Sequence, residues 1–164
     1  MRASLLIAVL AAVFVWLTSR GLPSVVASHF DAAGVANGFM TRNFYAWFML
    51  AFVVGLPLLL SLLPNLVFRS EKIRINLPNR EYWLAPERRR ETHDFLCRHN
   101  SRFGVLLTLF LCYVHWLVLR ANAVAPPRLP SMPFIIGLAL FGVLSVVWVA
   151  ALLVRFRKVP PRSI

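Results

Sequence analysis

His29, Asp31 and His115 are the side chains whose types could bind a metal or carry a proton on one side of this protein. Imidazole and carboxylate are both ligands that zinc accepts. Their spacing matches no metal-binding motif with a known mechanism. The competing expectation is that His29 and Asp31 cap turns while His115 hydrogen-bonds near a membrane surface. On that expectation the chain needs no metal and no cofactor. Catalytic arrangements are scarcer still. There is no His-Glu-x-x-His helix and no Gly-x-Ser-x-Gly elbow. Asp31 has no acidic neighbour with which to form a paired-carboxylate site. His93 and His99 stand six residues apart, which sets them on opposed faces of one helix. Cys97 and Cys112 are separated by roughly 22 Å along such a helix, too far for a mutual disulfide. No enzymatic activity is expected.

The stretch Leu22-Pro-Ser-Val-Val-Ala-Ser-His-Phe-Asp-Ala-Ala-Gly-Val-Ala-Asn-Gly-Phe-Met-Thr-Arg42 carries the strongest turn chemistry. Asp31 can accept from nearby backbone amides, and Gly34 can take positive φ. Asn37-Gly38 is a tight-turn signal in its own right. Two turns are therefore expected within eight residues. Pro23, His29, Asp31, Gly34, Asn37 and Gly38 are the candidate ligand-binding residues of this loop.

The elements that must hold this loop are written in the distribution of charge. Residues 3–19, 43–68, 103–119 and 129–154 contain no Asp, Glu, Lys or Arg. All 18 basic and 6 acidic residues lie between or outside them. A bilayer core about 30 Å thick takes roughly 20 apolar helical residues to cross. The chain is 59% hydrophobic, with a mean hydropathy of +0.70. Backbone in lipid must be satisfied within helices or a closed barrel. These runs are continuous, not alternating, so helices are expected. The predicted fold is all-α: a single membrane domain over 1–164, with four transmembrane helices in a bundle. The alternative for the first segment is a leader cleaved near Val26-Ala27-Ser28. Arg20 and the long gap after the apolar core argue against it.

Side is read from the basic residues. Fourteen of the 18 fall in the N-terminus, the 69–102 loop and the C-terminus. The positive-inside rule makes these cytoplasmic and puts 20–42 and 120–128 outside. A bacterial inner-membrane protein with both termini in the cytoplasm is expected. The net charge of +12 is thereby assigned to topology and the bilayer, and no nucleic acid is implied. Gly55, Pro57 and Pro64 predict a kink in the second crossing. Gly104, Thr108 and Cys112, with His115 three residues on, predict a small polar face turned toward other helices. The 69–102 loop has a helix over 86–102, opened by Pro86 with Glu87 near its positive end. Arg90 and Asp94 are spaced to pair on its surface. Arg88, Arg89 and Arg90 are candidates for lipid headgroups or a partner, against a plain topology signal.

The loop motif also carries a resemblance. Leu-Pro, then His-Phe-Asp with Gly three residues on, then Asn-Gly and a basic residue before a helix resembles a bacterial membrane domain of unknown function. SdpI-type immunity proteins share that domain. The phrase Asn76-Leu-Pro-Asn-Arg-Glu-Tyr-Trp-Leu-Ala-Pro-Glu-Arg88 is similar to small members of the group. The resemblance implies a membrane protein that protects its cell from a secreted toxin or signals its presence. It implies an outward loop recognising a ligand or an extracellular peptide. The contrasting expectation is a structural or assembly subunit packed against a membrane-protein partner.

Overall fold

The computed structural model describes residues 2–69 and 76–158. Its elements in order are α1 (Arg2–Ser19), β1 (Val25–Phe30), β2 (Ala36–Thr41) and α2 (Arg42–Leu50). A π-helical turn (Ala51–Gly55) joins α2 to α3 (Leu56–Arg69). Then follow α4 (Arg80–Trp83), α5 (Pro86–Asn122) and α6 (Ser131–Arg157). The chain is mostly helical. Three stretches, Arg42–Phe68, Pro86–Asn122 and Ser131–Arg157, are long and apolar enough to cross a membrane. The apolar part of α1, Ser4–Ser19, is shorter.

Helix α5 is the organising element, contacted by α1, α3 and α6. Its 37 residues span roughly 55 Å, well beyond a 30 Å hydrocarbon core. Residues 86–102 therefore form the charged extension expected before the third crossing. Gly104 gives α5 its closest approach to α3. A Cβ there would meet Ser61 Oγ at 2.5 Å and the Pro57 carbonyl oxygen at 3.1 Å. Thr108 and His115 on the same face are buried, as their spacing predicts.

The expected kink takes a definite form. Pro57 lacks the amide that would bond the Val53 carbonyl, and its ring crowds that carbonyl. The chain widens into the π turn just before it. Thr108 Oγ1 reaches the Val53 carbonyl at 3.5 Å while also donating to Gly104 at 2.9 Å. Pro64 frees the Leu60 carbonyl in the same way, and Asn100 Nδ2 approaches it at 3.4 Å. Both carbonyls released by proline thus face polar side chains of α5.

At the end holding α4, the last carbonyls of α6 are capped by side chains of α4 and of the residue before it. Asn79 Nδ2 donates to the carbonyls of Phe156 and Arg157, each at 3.0 Å. Trp83 Nε1 donates to the Phe156 carbonyl at 3.0 Å. These are groups that a helix end leaves without intrahelical partners. Phe156 is fully buried between Trp83 and Phe95. Arg155 pairs with Glu91 at 2.7 Å.

The purely α-helical expectation needs correction at the opposite end. Residues 25–41 form an antiparallel hairpin. The segment Val-Val-Ala-Ser-His-Phe is rich in strand formers, and β2 alternates half-buried and exposed residues. Val26 and Ala27 are fully buried under it. Val26 joins Ala11, Val15, Leu22, Tyr45, Met49, Val53 and Val118 in one cluster. The core therefore sits where α1, α2, α5 and the hairpin converge.

Candidate functional site

The hairpin turns at Asp31–Val35. Asp31 Oδ1 accepts from the Val35 amide at 2.8 Å, and the Asp31 carbonyl accepts from the Gly34 amide at 2.9 Å. Gly34 has φ of 79°, as its place after Asp31 predicts. Asn37-Gly38 does not form the second turn that was expected. It lies within β2, with Gly38 opposite His29 at an irregularity in the register. The glycine is required by closeness: a Cβ there would sit 2.9 Å from His29 Cβ.

Three fastenings fix the hairpin and the segment leading into it. Asn122 at the end of α5 acts as a short strand on β1. Its Oδ1 accepts from the Ala27 amide and its Nδ2 donates to the Ala27 carbonyl, both at 2.9 Å. The Arg42 guanidinium donates to the carbonyls of Arg20 and Leu22 at 3.2 and 3.1 Å. At the tip, the Leu129 amide donates to the Gly34 carbonyl at 2.9 Å. Val35 and Arg128 pair beside it. The hairpin is thus held at its middle and its turn, and the segment leading into it is held by Arg42.

The sequence candidates distribute around this frame. Pro23 is exposed between α1 and β1, and Asn37 is exposed on β2. His29 is exposed, with Nδ1 3.1 Å from Ser28 Oγ. Asp31 is spent on the turn. His115 is fully buried beneath the hairpin, away from the solvent-facing His29 and Asp31. Among the described residues, no three His, Cys, Asp or Glu side chains come together to hold a metal ion. Arg88 lies over the Tyr82 ring at 4.0 Å. Arg89 reaches the Phe68 carbonyl at 3.4 Å, and Arg90 is exposed. Asp94 approaches His93 at 3.4 Å.

His115 instead forms a buried polar chain across three helices. Its Nδ1 is 2.8 Å from the Tyr45 hydroxyl, and its Nε2 is 2.8 Å from Thr18 Oγ1. The single Thr18 hydroxyl proton goes to the Phe14 carbonyl at 2.6 Å. Thr18 must then accept from Nε2–H, which leaves Nδ1 to accept from Tyr45. Every group is satisfied by this tautomer. Phe14 closes the pocket edge-on, with ring centroids 5.5 Å apart. The chain ties α1 and α2 to α5 directly under the hairpin.

Sequence reasoning missed Asn122, Tyr45, Thr18 and the strands. The face Gly104-Thr108-Cys112-His115 was the available signal. Continued by three and four residues it reaches Val118 and Asn122.

Residues 5–61 match the family model of a domain of unknown function, DUF1648. That stretch covers the apolar body of α1, the hairpin, α2 with its π turn, and the first part of α3. No curated protein and no solved structure matches the chain.

Proposed function

We propose that this is a four-crossing protein of the bacterial cytoplasmic membrane, kin to the SdpI-type immunity proteins, whose hairpin receives an extracellular peptide. It works by binding and not by catalysis. α1 serves as the fourth crossing: its 18 residues cover roughly 27 Å, close to the hydrocarbon thickness. Both termini and the 69–102 loop face the cytoplasm. The observation that carries this reading is the fastened hairpin. Its backbone is tied to Asn122 of α5 and to Leu129 of the α5–α6 connection, and Arg42 braces the segment before it, while Val25, Val35 and Phe39 stay about half exposed, at 57%, 48% and 57%. A rigid frame presenting unpaired apolar side chains lowers the ordering cost of binding. No other element hydrogen-bonds the outer backbone of β2 among the described residues. A free strand edge of this kind accepts an extended peptide.

The test is growth in the organism's own conditioned medium. A deletion strain is expected to be inhibited, and the wild-type chain to restore growth. Phe39→Asp, on the exposed face of β2, is expected not to restore it at equal protein level. Normal growth of the deletion strain ends the immunity reading.

A second reading, an assembly subunit, is favoured by α6. No residue of its apolar window is fully buried, and beyond the half-buried face on α5 most of it is exposed. Recovery of a stoichiometric membrane partner, lost on substitution of exposed Ile136 or Val143, would support that reading.

A further inference from the structure

The hairpin end holds a second feature, independent of what the hairpin binds. A cleft of about 200 Å³ opens where α1 ends and α2 begins. Trp16, Ser19, Arg20, Arg42, Asn43 and Ala46 line it. Ser19 is 2% exposed, and its Oγ has no hydrogen-bond partner. A buried hydroxyl with nothing to bond is costly unless a ligand completes it. Arg20 lies over the Trp16 ring at 5.2 Å. Arg42 is locked in place by its two backbone carbonyls. Neither arginine forms an ion pair among the described residues. Asp31, the one acidic residue of the 20–42 segment, is occupied by the Val35 amide.

We infer that this cleft holds the phosphate of a membrane phospholipid. Two guanidiniums and a hydroxyl suit a tetrahedral oxyanion through charge-assisted bonds. The volume accommodates one such group. Depth and surroundings select a lipid over a free anion. The cleft stands where the charge-free segment 3–19 ends and 43–68 begins, at headgroup level. Trp16 and Trp47, with ring centroids 5.6 Å apart, flank it as interfacial aromatics do. Val13, Leu17 and Phe48 are exposed on the same two helices and offer a path for acyl chains.

The test uses the full chain in maltoside detergent, with retained lipid counted by native mass spectrometry. The probes are phosphatidylglycerol and a galactolipid that has no phosphate. The wild-type chain is expected to retain phosphatidylglycerol and not the galactolipid. Arg20→Gln is expected to lower retention about tenfold and Ser19→Ala about threefold. Ser19→Ala is expected to leave the Tm in lipid-free detergent unchanged or raised, since it removes an unpartnered hydroxyl. It therefore reads the site even if Arg20→Gln fails to fold. Arg120→Gln removes an arginine that lies over Trp116 at the same end but outside the cleft, and is expected to change nothing. The inference is overturned by equal galactolipid retention, by undiminished retention in folded Ser19→Ala, or by an equal loss in Arg120→Gln. Displacement of the lipid by millimolar inorganic phosphate would also overturn it, by marking a free-anion site.

Discussion

At the residue scale, His115 behaves as a structural connector between hydroxyls. Tyr45 has no acceptor other than the His115 ring among the described hydrogen bonds. His115→Leu therefore orphans a buried phenol as well as removing two bonds. Tyr45→Phe removes the same bond without leaving a buried donor behind. Buried hydrogen bonds between membrane helices are worth about 0.6 kcal/mol on average and up to about 1.7. Thermal unfolding in detergent should give a coupling of about 1 kcal/mol between His115→Leu and Tyr45→Phe. Strict additivity of the two would sink this account. Gly38 makes a different demand. A methyl at that position must displace the His29 side chain at its Cβ, which cannot swing away. Gly38→Ala should cost about 1–3 kcal/mol by overpacking and speed amide exchange at Ala27. His29→Gly should restore slow exchange in that background. Exchange unaltered by Gly38→Ala would refute the close-approach argument.

At the element scale, the apolar stretch Arg42–Phe68 and α5 are matched through prolines. Pro57 and Pro64 each withhold an amide, and Thr108 and Asn100 of α5 stand opposite the carbonyls so released. In Pro57→Ala the α-helical bond to Val53 can form, so the Thr108 hydroxyl loses that duty. Thr108→Val should then destabilise by less in Pro57→Ala than in the wild-type chain, by about 0.5 kcal/mol. An equal effect in both backgrounds would show that the prolines and Thr108 act separately. The prolines, the small face of α5 and the apolar segments were legible because lipid imposes local rules of length, charge and close packing. The hairpin was not. Asn37-Gly38 reads locally as a turn, whereas the close contact with His29 keeps it in a strand. The partner that completes β1 is Asn122, 95 residues from Ala27. A local reading of 20–42 cannot contain such a partner. His29, Asp31 and His115 were grouped by side alone, and side says nothing about depth. The buried Tyr45 and Thr18 claim His115, while the turn claims Asp31.

At the scale of the whole molecule, the two ends differ in both charge and construction. One end carries the hairpin, knitted to the α5–α6 connection through Gly34 and Leu129. The other carries α4 and the charged start of α5, which cap the end of α6 through Asn79 and Trp83. The three long apolar stretches and the shorter α1 alternate in direction between these ends. Among the described residues, 11 of the 15 basic residues belong to the α4 end or to the helix ends beside it, and the positive-inside rule predicts a cytoplasmic place for that end. Single cysteines can report this in a chain whose Cys97 and Cys112 are replaced by serine. Ala33 is exposed at the hairpin tip and Glu81 is exposed on α4. Ala33→Cys should react with a membrane-impermeant maleimide in intact cells. Glu81→Cys should react only after the membrane is opened. Labelling of both from outside would mean that Arg42–Phe68, the apolar stretch between them, fails to cross. Labelling of Glu81→Cys alone would invert the molecule. Its basic end would then face outward, and the hairpin would be removed from any extracellular peptide.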